Sequence, residues 1–332
     1  MRVAVLMSGG VDSTVAAHLL KEQGHDVVGV HMLHLDDQDV LAVENAAKKI
    51  GVKLFKIDIR EEFRKKVIGY FLSEYKKGRT PNPCYFCNRW IKFGLLFEKL
   101  REMGYENIAS GHYAKVLNGK LYKAKDKKKD QSYFLSSLPR EILTKVIFPL
   151  SEMTKDQVRE LAADLDLWVK EESQDVCFLK NKNLKTFLQE NGLKGEGYFV
   201  NKKGEILGNH DGYFSFTIGQ RRGLGISLGK RTYVVDIIAR ENKVVLGSKT
   251  DVMSSGMIVD SLNFLEDLPE EFDAYVKIRS NFKEQRCTVH IKDDKAFVSF
   301  SQKAFAVTPG QIAVFYWDDQ VILSGVIEKG IK

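Results

Sequence analysis

Two groups of residues could do chemistry by their types and spacing. The first is Ser8-Gly9-Gly10-Val11-Asp12-Ser13, placed directly after the apolar run Val3–Met7. Gly9 and Gly10 allow backbone angles and a closeness of approach denied to other residues. The amides of such a loop and of a helix behind it point one way and form an anion site. Ser8 and Ser13 can add hydroxyl donors. Asp12 is out of place beside phosphates unless a cation lies between them, which implies a magnesium ion. The Lys-Ser/Thr pair of a kinase-type phosphate loop is missing.

The second group is sulfur. Cys84 and Cys87 lie in "RTPNPCYFCNRWIKFG", Arg79–Gly94. Pro81 and Pro83 keep this segment extended ahead of a helix expected from about Asn88. Cys87 would then stand near a helix N-terminus, where the dipole favours thiolate over thiol. Cys177, in "ESQDVCFL" (Glu172–Leu179), meets Cys87 only if the fold brings it there. Cys287 alternates with Val289 and Ile291 on the core face of an expected strand and is assigned no chemistry.

The chain that must position these groups has 332 residues, enough for two or three domains. It is 44% hydrophobic and 29% charged, an ordinary globular balance. A net charge of +7 suits a polyanionic partner without proving one. No apolar run approaches the ~20 residues of a membrane span, and Val3–Met7 is too short for a signal-peptide core. A cytoplasmic location with no membrane partner is expected. Four cysteines are too few for a secreted disulfide scaffold of this length.

Strand and helix alternate in the first half. Val3–Met7 is a strand; Ser13 can cap the next helix and Gly24 ends it. His25–Met32 and Lys53–Ile59 read as strands, Val40–Ile50 and Glu61–Lys77 as helices. Asn88–Met103 reads as helix and Asn107–Ala114 as strand. Such alternation implies a parallel sheet covered on both faces, with ligands at the carboxyl ends of its strands. Thr154 and Gln157 make a capping box for a helix over Thr154–Leu165. From about Lys194 the chain turns to short strands. "YFVNKKGEIL" and "YVVDIIARENKVVLG" read as hairpins. Strands follow at Tyr275–Arg279, Arg286–Lys292, Ala296–Ser301, Gln311–Trp317 and Val321–Ile327. The expected plan is an α/β domain over 1–193, a small central β domain over 194–255 and a C-terminal β-barrel over 256–332, both β modules being read as barrels.

The loop Ser8–Ser13 resembles the pyrophosphate loop of the N-type ATP pyrophosphatase (PP-loop) superfamily. The chain as a whole resembles the bacterial tRNA-specific 2-thiouridylase family, MnmA. The matching stretches are Leu6–Ser13, "TPNPCYFCNRWIKFG", "SGHYAKV", "KDQSYFLSSL", "FPLSEMTKDQVRELA", "ESQDVCFL", "FTIGQRRGLGI" and "VTPGQIAVFY", in that order. The resemblance implies that ATP adenylates the C2 oxygen of the tRNA wobble uridine and that sulfur replaces this oxygen. It implies ATP contacts from Leu6, Met7, Ser8, Gly9, Gly10, Val11, Asp12, Ser13, Met32 and Gly111. Cys177 would carry sulfur as a persulfide, and Cys87 would release it and form a disulfide with Cys177. Asn82, Pro83 and Cys84 would face the target base. His112, Lys129, Asp130, Gln131, Arg279, Ser280 and Gln311 would contact tRNA. A cysteine desulfurase or relay carrier would donate persulfide sulfur.

The chain departs from the family at three places. Cys84 stands where many members have Asp, the loop after Met32 is short, and an expected Arg-Tyr reads Arg279-Ser280. Cys84, Cys87 and Cys177 could instead hold a 4Fe–4S cluster, as in related sulfur-transfer enzymes; the persulfide relay is preferred. A ligase of the same superfamily that forms an amide or amine on a small substrate is disfavoured by the missing glutaminase domain and by the cysteine pair. A non-catalytic RNA-binding module is disfavoured by the intact loop. The lysines Lys123–Lys129 and the pairs Arg221–Arg222 and Lys230–Arg231 are candidate phosphate contacts, with a solvated loop the preferred reading for Lys123–Lys128.

Overall fold

The structure is a computed structural model that describes residues 1–36, 40–167, 176–179 and 182–332. Its first half holds strands β1 (Arg2–Leu6), β2 (Asp26–Leu33), β3 (Lys53–Asp58), β4 (Asn107–Ser110), β5 (Ala114–Leu117), β6 (Lys120–Lys123) and β7 (Val146–Ile147). The order β3-β2-β1-β4-β7 makes one wholly parallel sheet. Val3, Ala4 and Val5 are fully buried in its centre, as expected of a strand covered on both faces. The chain steps outward from β1 to β3, then returns to β4 on the other side of β1. That reversal opens a crevice at the carboxyl ends of β1 and β4.

The helix after β1 spans Val11–Glu22 and its N-cap is Gly10, not Ser13. Ser13 lies inside the first turn, where its hydroxyl donates to the Gly10 carbonyl at 3.0 Å instead of capping an amide. Two longer helices follow. One runs through Arg60–Phe63, Arg64–Ile68 and Gly69–Lys76, its middle stretch π-wound. The other runs through Pro83–Cys87, Asn88–Leu95 and Leu96–Glu102, again π-wound in the middle. It starts more than a turn before the expected Asn88. Asn82 caps it, its Oδ1 accepting from the Tyr85 amide at 3.3 Å. Pro83 takes the first helical position, where a missing N–H costs nothing. The expected strand Asn107–Ala114 stops at Ser110, because Gly111 must pass tightly over the helix after β1: a Cβ there would lie 2.6 Å from the Ser13 nitrogen. The capping box at Thr154 is present, with Thr154 N donating to Gln157 Oε1 at 2.9 Å and Gln157 N to Thr154 Oγ1 at 3.3 Å.

The central module contains β8 (Gly197–Val200), β9 (Ile206–His210), β10 (Tyr233–Ile238) and β11 (Lys243–Gly247). Both expected hairpins form, and the strands order as β10-β11-β8-β9. Among the described residues this sheet has no closing pair, so it is open where a barrel was expected. The last module is closed. Its strands are β12 (Met253–Phe264), β13 (Glu271–Lys277), β14 (Gln285–Lys292), β15 (Lys295–Phe305), β16 (Ile312–Trp317) and β17 (Gln320–Ile331). They run β12-β15-β14-β13-β16-β17, and β12 pairs again with β17. Strand β12 was not expected, since "SSG" near its start breaks the alternation. The hairpin β5–β6 adds to this sheet at β17 through Tyr122 and Gln320. Cys287 is 1% exposed in the barrel core, as its alternation required.

Candidate active site

Beyond β1 the chain turns at Gly9 with φ +81°, and a Cβ there would come 2.9 Å from the Val43 amide nitrogen. Both facts demand glycine. The Ser8 amide donates to Ser13 Oγ at 3.2 Å, and Thr14 Oγ1 joins Ser13 Oγ in donating to the Gly10 carbonyl at 3.0 Å. The Ser13 hydroxyl therefore holds the loop's shape rather than offering a phosphate a proton. The first-turn amides of the helix have no intrahelical acceptor and carry the positive end of its dipole. In front of them lies a cleft of about 340 Å³. Leu6, Met7, Ser8, Asp12 and Ser13 line it, with Val30, His31, Met32 and His34 from β2 and its extension. Ser110, Gly111 and His112 close it from the end of β4, joined by Lys92 and Gln131. Most of the expected nucleotide residues thus share one cavity. Gly9 and Val11 instead line a hollow toward the helix Leu41–Lys49, and Gly10 lines neither.

Asp12 has its cation already. Lys155 Nζ, with its side chain 8% exposed, binds both carboxylate oxygens at 2.7 and 2.8 Å, and the Tyr113 hydroxyl donates to one of them at 2.8 Å. The reason for placing magnesium on Asp12 is thereby removed. Lys155 follows the cap Thr154, so the capping box orients it toward the loop. Lys155 and Tyr113 both lie in the quoted motifs, which was the available signal for them. His31 Nδ1 donates to the Met7 carbonyl at 2.8 Å and braces the end of β1. His112 Nδ1 lies 2.7 Å from Ser110 Oγ. Burial, aided by the nearby Lys92 charge, holds His112 well below the usual imidazole range, so it is neutral.

The thiols do not line this cleft, but Lys92, which does, lies close enough for its charge to act on Cys84, Cys87 and Cys177. Cys87 is buried inside the helix, not at its N-terminus, and burial pushes it up to about 12. The expected thiolate-favouring placement is corrected: desolvation outweighs the dipole. Cys84 and Cys177 have surface open to solvent, yet enough protein surrounds each thiol to push both up, Cys177 to about 11. Cys177 interacts electrostatically with both Cys84 and Cys87, so the fold does bring the distant thiol to the pair. The rest of the Cys177 motif, ahead of Val176, lies outside the described residues. All four cysteines are free thiols. Among the described residues no three His, Cys, Asp or Glu side chains are grouped to hold a metal ion, Cys84, Cys87 and Cys177 included.

The remaining expected residues are scattered. Asn82 and Pro83 form the helix start just described. Gln131 Oε1 accepts from the Tyr113 amide at 2.9 Å in the cleft wall. Asp130 accepts from the Ala124 amide and the Ser132 hydroxyl and shapes its own turn. Lys129 donates its amide to the Asp126 carbonyl in that loop. Arg279 reaches the Phe305 carbonyl at the end of the barrel, with Ser280 in the same turn. Gln311 Nε2 donates to the Thr80 carbonyl at 2.9 Å. Of the lysine run, Lys123 pairs with Glu284 at 2.8 Å and Lys127 with Asp319 at 2.6 Å, tying the β5–β6 hairpin to the barrel. Arg221, Lys230 and Arg231 line a surface hollow of the central module.

Family models match the chain in three consecutive pieces. A tRNA methyl transferase HUP domain covers residues 1–181, a tRNA methyl transferase PRC-barrel domain 185–248 and an aminomethyltransferase β-barrel domain 254–327. The tRNA-specific 2-thiouridylase MnmA of Pseudothermotoga lettingae is 43% identical over 99% of both chains. The chain belongs to the tRNA-specific 2-thiouridylase family. Its relative of the same name from Thermosipho melanesiensis is 44% identical over 93% of this chain and 97% of that one. That from Carboxydothermus hydrogenoformans is 44% identical over 99% and 98%. Among the described residues of this family member, no helix is long and apolar enough to cross a membrane.

Proposed function

We propose that this chain performs the ATP-dependent 2-thiolation of the wobble uridine of tRNA. One observation carries the reading: a glycine-loop cleft and a set of mutually interacting thiols meet at a common boundary. The name of its relatives, tRNA-specific 2-thiouridylase, supplies the substrate class. The uridine C2 oxygen attacks the α-phosphorus of ATP; the bond to the β-phosphate breaks and pyrophosphate leaves. The terminal sulfur of a Cys177 persulfide then attacks C2, and the bond to AMP breaks. Cys87, as thiolate, attacks Cys177 Sγ; the S–S bond breaks and its electron pair stays on the sulfur now bound to C2. The products are 2-thiouridine and a Cys87–Cys177 disulfide, which a reductant or persulfide donor must reset.

The first-turn amides after Gly10 hold the phosphates, and Lys155 keeps Asp12 from repelling them. A magnesium ion would arrive with the triphosphate and offset its charge. Asn82, Pro83 and Cys84 face the base; His112, Lys129, Asp130, Gln131, Arg279, Ser280 and Gln311 border the tRNA, several of them by holding backbone in place. The chain divides into a catalytic domain over 1–193, a central domain over 194–255 and a barrel over 256–332. It works in the cytoplasm with a cysteine desulfurase or relay carrier. No step passes through an iron–sulfur cluster.

The test is AMP and pyrophosphate formation from ATP that depends on tRNA, together with mass analysis of the tRNA nucleosides. Cys177→Ala should abolish thiolation while tRNA affinity stays within about threefold. A fully active Cys177→Ala, or ATP cleavage stimulated by a small metabolite and not by tRNA, would overturn the reading.

A further inference from the structure

One side chain joins the nucleotide cleft to the thiols. Lys92 lines the cleft together with Ser8, Gly111 and His112. It is half-buried, and among the described residues no carboxylate or hydrogen-bond acceptor pairs with it. Withdrawing an ammonium from water without a counter-ion is unfavourable until an anion arrives. Lys155, the nearby lysine, is already committed to Asp12. The Lys92 charge also acts on Cys84, Cys87, Cys177 and His112.

Its placement depends on helix winding. Asn88–Leu95 is π-wound, and i→i+5 bonding brings residues five apart into line along the helix. Lys92 therefore follows Cys87 on one face. In an ordinary α-helix it would be turned well aside. The winding in turn depends on Gly94, where a Cβ would lie 2.5 Å from the Arg89 carbonyl oxygen.

We propose that Lys92 is a further catalytic residue, its ammonium contacting the α-phosphate of the adenylated uridine on one side and the anionic sulfur nucleophile on the other. This rests on the thiolation reading above. The chemistry needs such a group. As the C2–O bond breaks, the phosphate gains a negative charge while an anionic sulfur approaches. A fixed cation between two anions stabilises that state more than the ground state. The three thiols and the neutral His112 feel the Lys92 charge, His31 and His34 line the same cleft, and Asp12, the carboxylate of that cleft, is paired with Lys155.

The experiment uses the full chain with Lys92→Met and Lys92→Arg. Alkylation of Cys177 by iodoacetamide at fixed pH needs neither ATP nor tRNA. Lys92→Met should slow it about fivefold, and Lys92→Arg should leave it within about twofold. In single-turnover thiolation, Lys92→Met should lose about a hundredfold, and Lys92→Arg should recover at least about a tenth of the native rate. Thermal unfolding of each variant separates these effects from misfolding; should Lys92→Met not fold, Lys92→Gln replaces it with the same expectations. Thiolation by Lys92→Met within about threefold of the native rate would overturn the proposal. Native enzyme that makes no thiolated tRNA sinks the activity reading. An unchanged Cys177 alkylation rate in Lys92→Met sinks this inference whichever way that result falls.

Discussion

Cys87, the proposed nucleophile, is kept in its unreactive state. Burial lifts its thiol from 9.0 to about 12; Lys92 pulls the other way, and Cys177 and Cys84 add a smaller upward push. At neutral pH the resting protein holds Cys87 as thiol, which guards it from stray oxidation. Because the folded value is raised, the stability this burial gives is complete below pH 9.0 and is lost as pH rises from there toward about 12. The rate of reaction should follow the thiolate fraction. Alkylation of Cys87, followed on its own peptide by mass spectrometry, should climb about tenfold per pH unit between roughly 7 and 10. A plateau beginning near pH 7 would mean that the helix dipole wins over desolvation. Asp12 sits in a bidentate ion pair with Lys155. Its carboxylate can face bound phosphates because its charge is already met.

At the scale of elements, the helix from Pro83 to Glu102 organises the site. Asn82 and Pro83 start it beside Cys84, and its π-wound middle sets the angle between Cys87 and Lys92. A π turn is a less favourable winding and persists where packing demands it. Ile91 and Phe93 on this stretch are fully buried, which fixes its rotation against the core. Gly94→Ala puts a methyl 2.5 Å from the Arg89 carbonyl, so the turn must deform. The expected cost is about 2 kcal/mol, with at least a tenfold loss in thiolation. Thermal unfolding and the single-turnover rate measure the two; a variant with native activity would show that the winding is incidental. Proline, asparagine and glycine at 81–94 are legible in the chain, but π winding is not, because it is selected by packing and not by local propensity.

Across the whole molecule, three modules meet at Arg79 and Thr80, just ahead of Asn82. Arg79 pairs with the buried Glu74 at 2.8 Å and reaches the Ile327 carbonyl of the barrel at 3.2 Å. The Thr80 amide donates to the Pro309 carbonyl at 2.9 Å, its carbonyl accepts from Gln311, and its hydroxyl meets Thr217 of the central module at 3.4 Å. The barrel thus holds the segment that leads into Asn82, Pro83 and Cys84, the residues proposed to face the base. Gln311→Ala should cost about 1 kcal/mol and slow thiolation several-fold while leaving ATP affinity unchanged. Filter binding of ATP beside a thiolation assay separates the two, and an equal loss in both would contradict the junction's role.

The amino-acid sequence by itself determined the parallel sheet, the glycine turn between β1 and its helix, the capping box at Thr154 and the barrel-bound Cys287. Each rests on patterns within a few residues: alternation, glycine in a tight turn, a capping pair. The tertiary structure alone decided that Lys155 satisfies Asp12, that the Ala114–Lys123 hairpin joins the C-terminal sheet, and that Cys177 meets Cys84 and Cys87. It also decided that Cys87 is a buried thiol and not an exposed thiolate. Charge state and partnership depend on what packs from distant parts of the chain, and spacing along the chain carries no record of that.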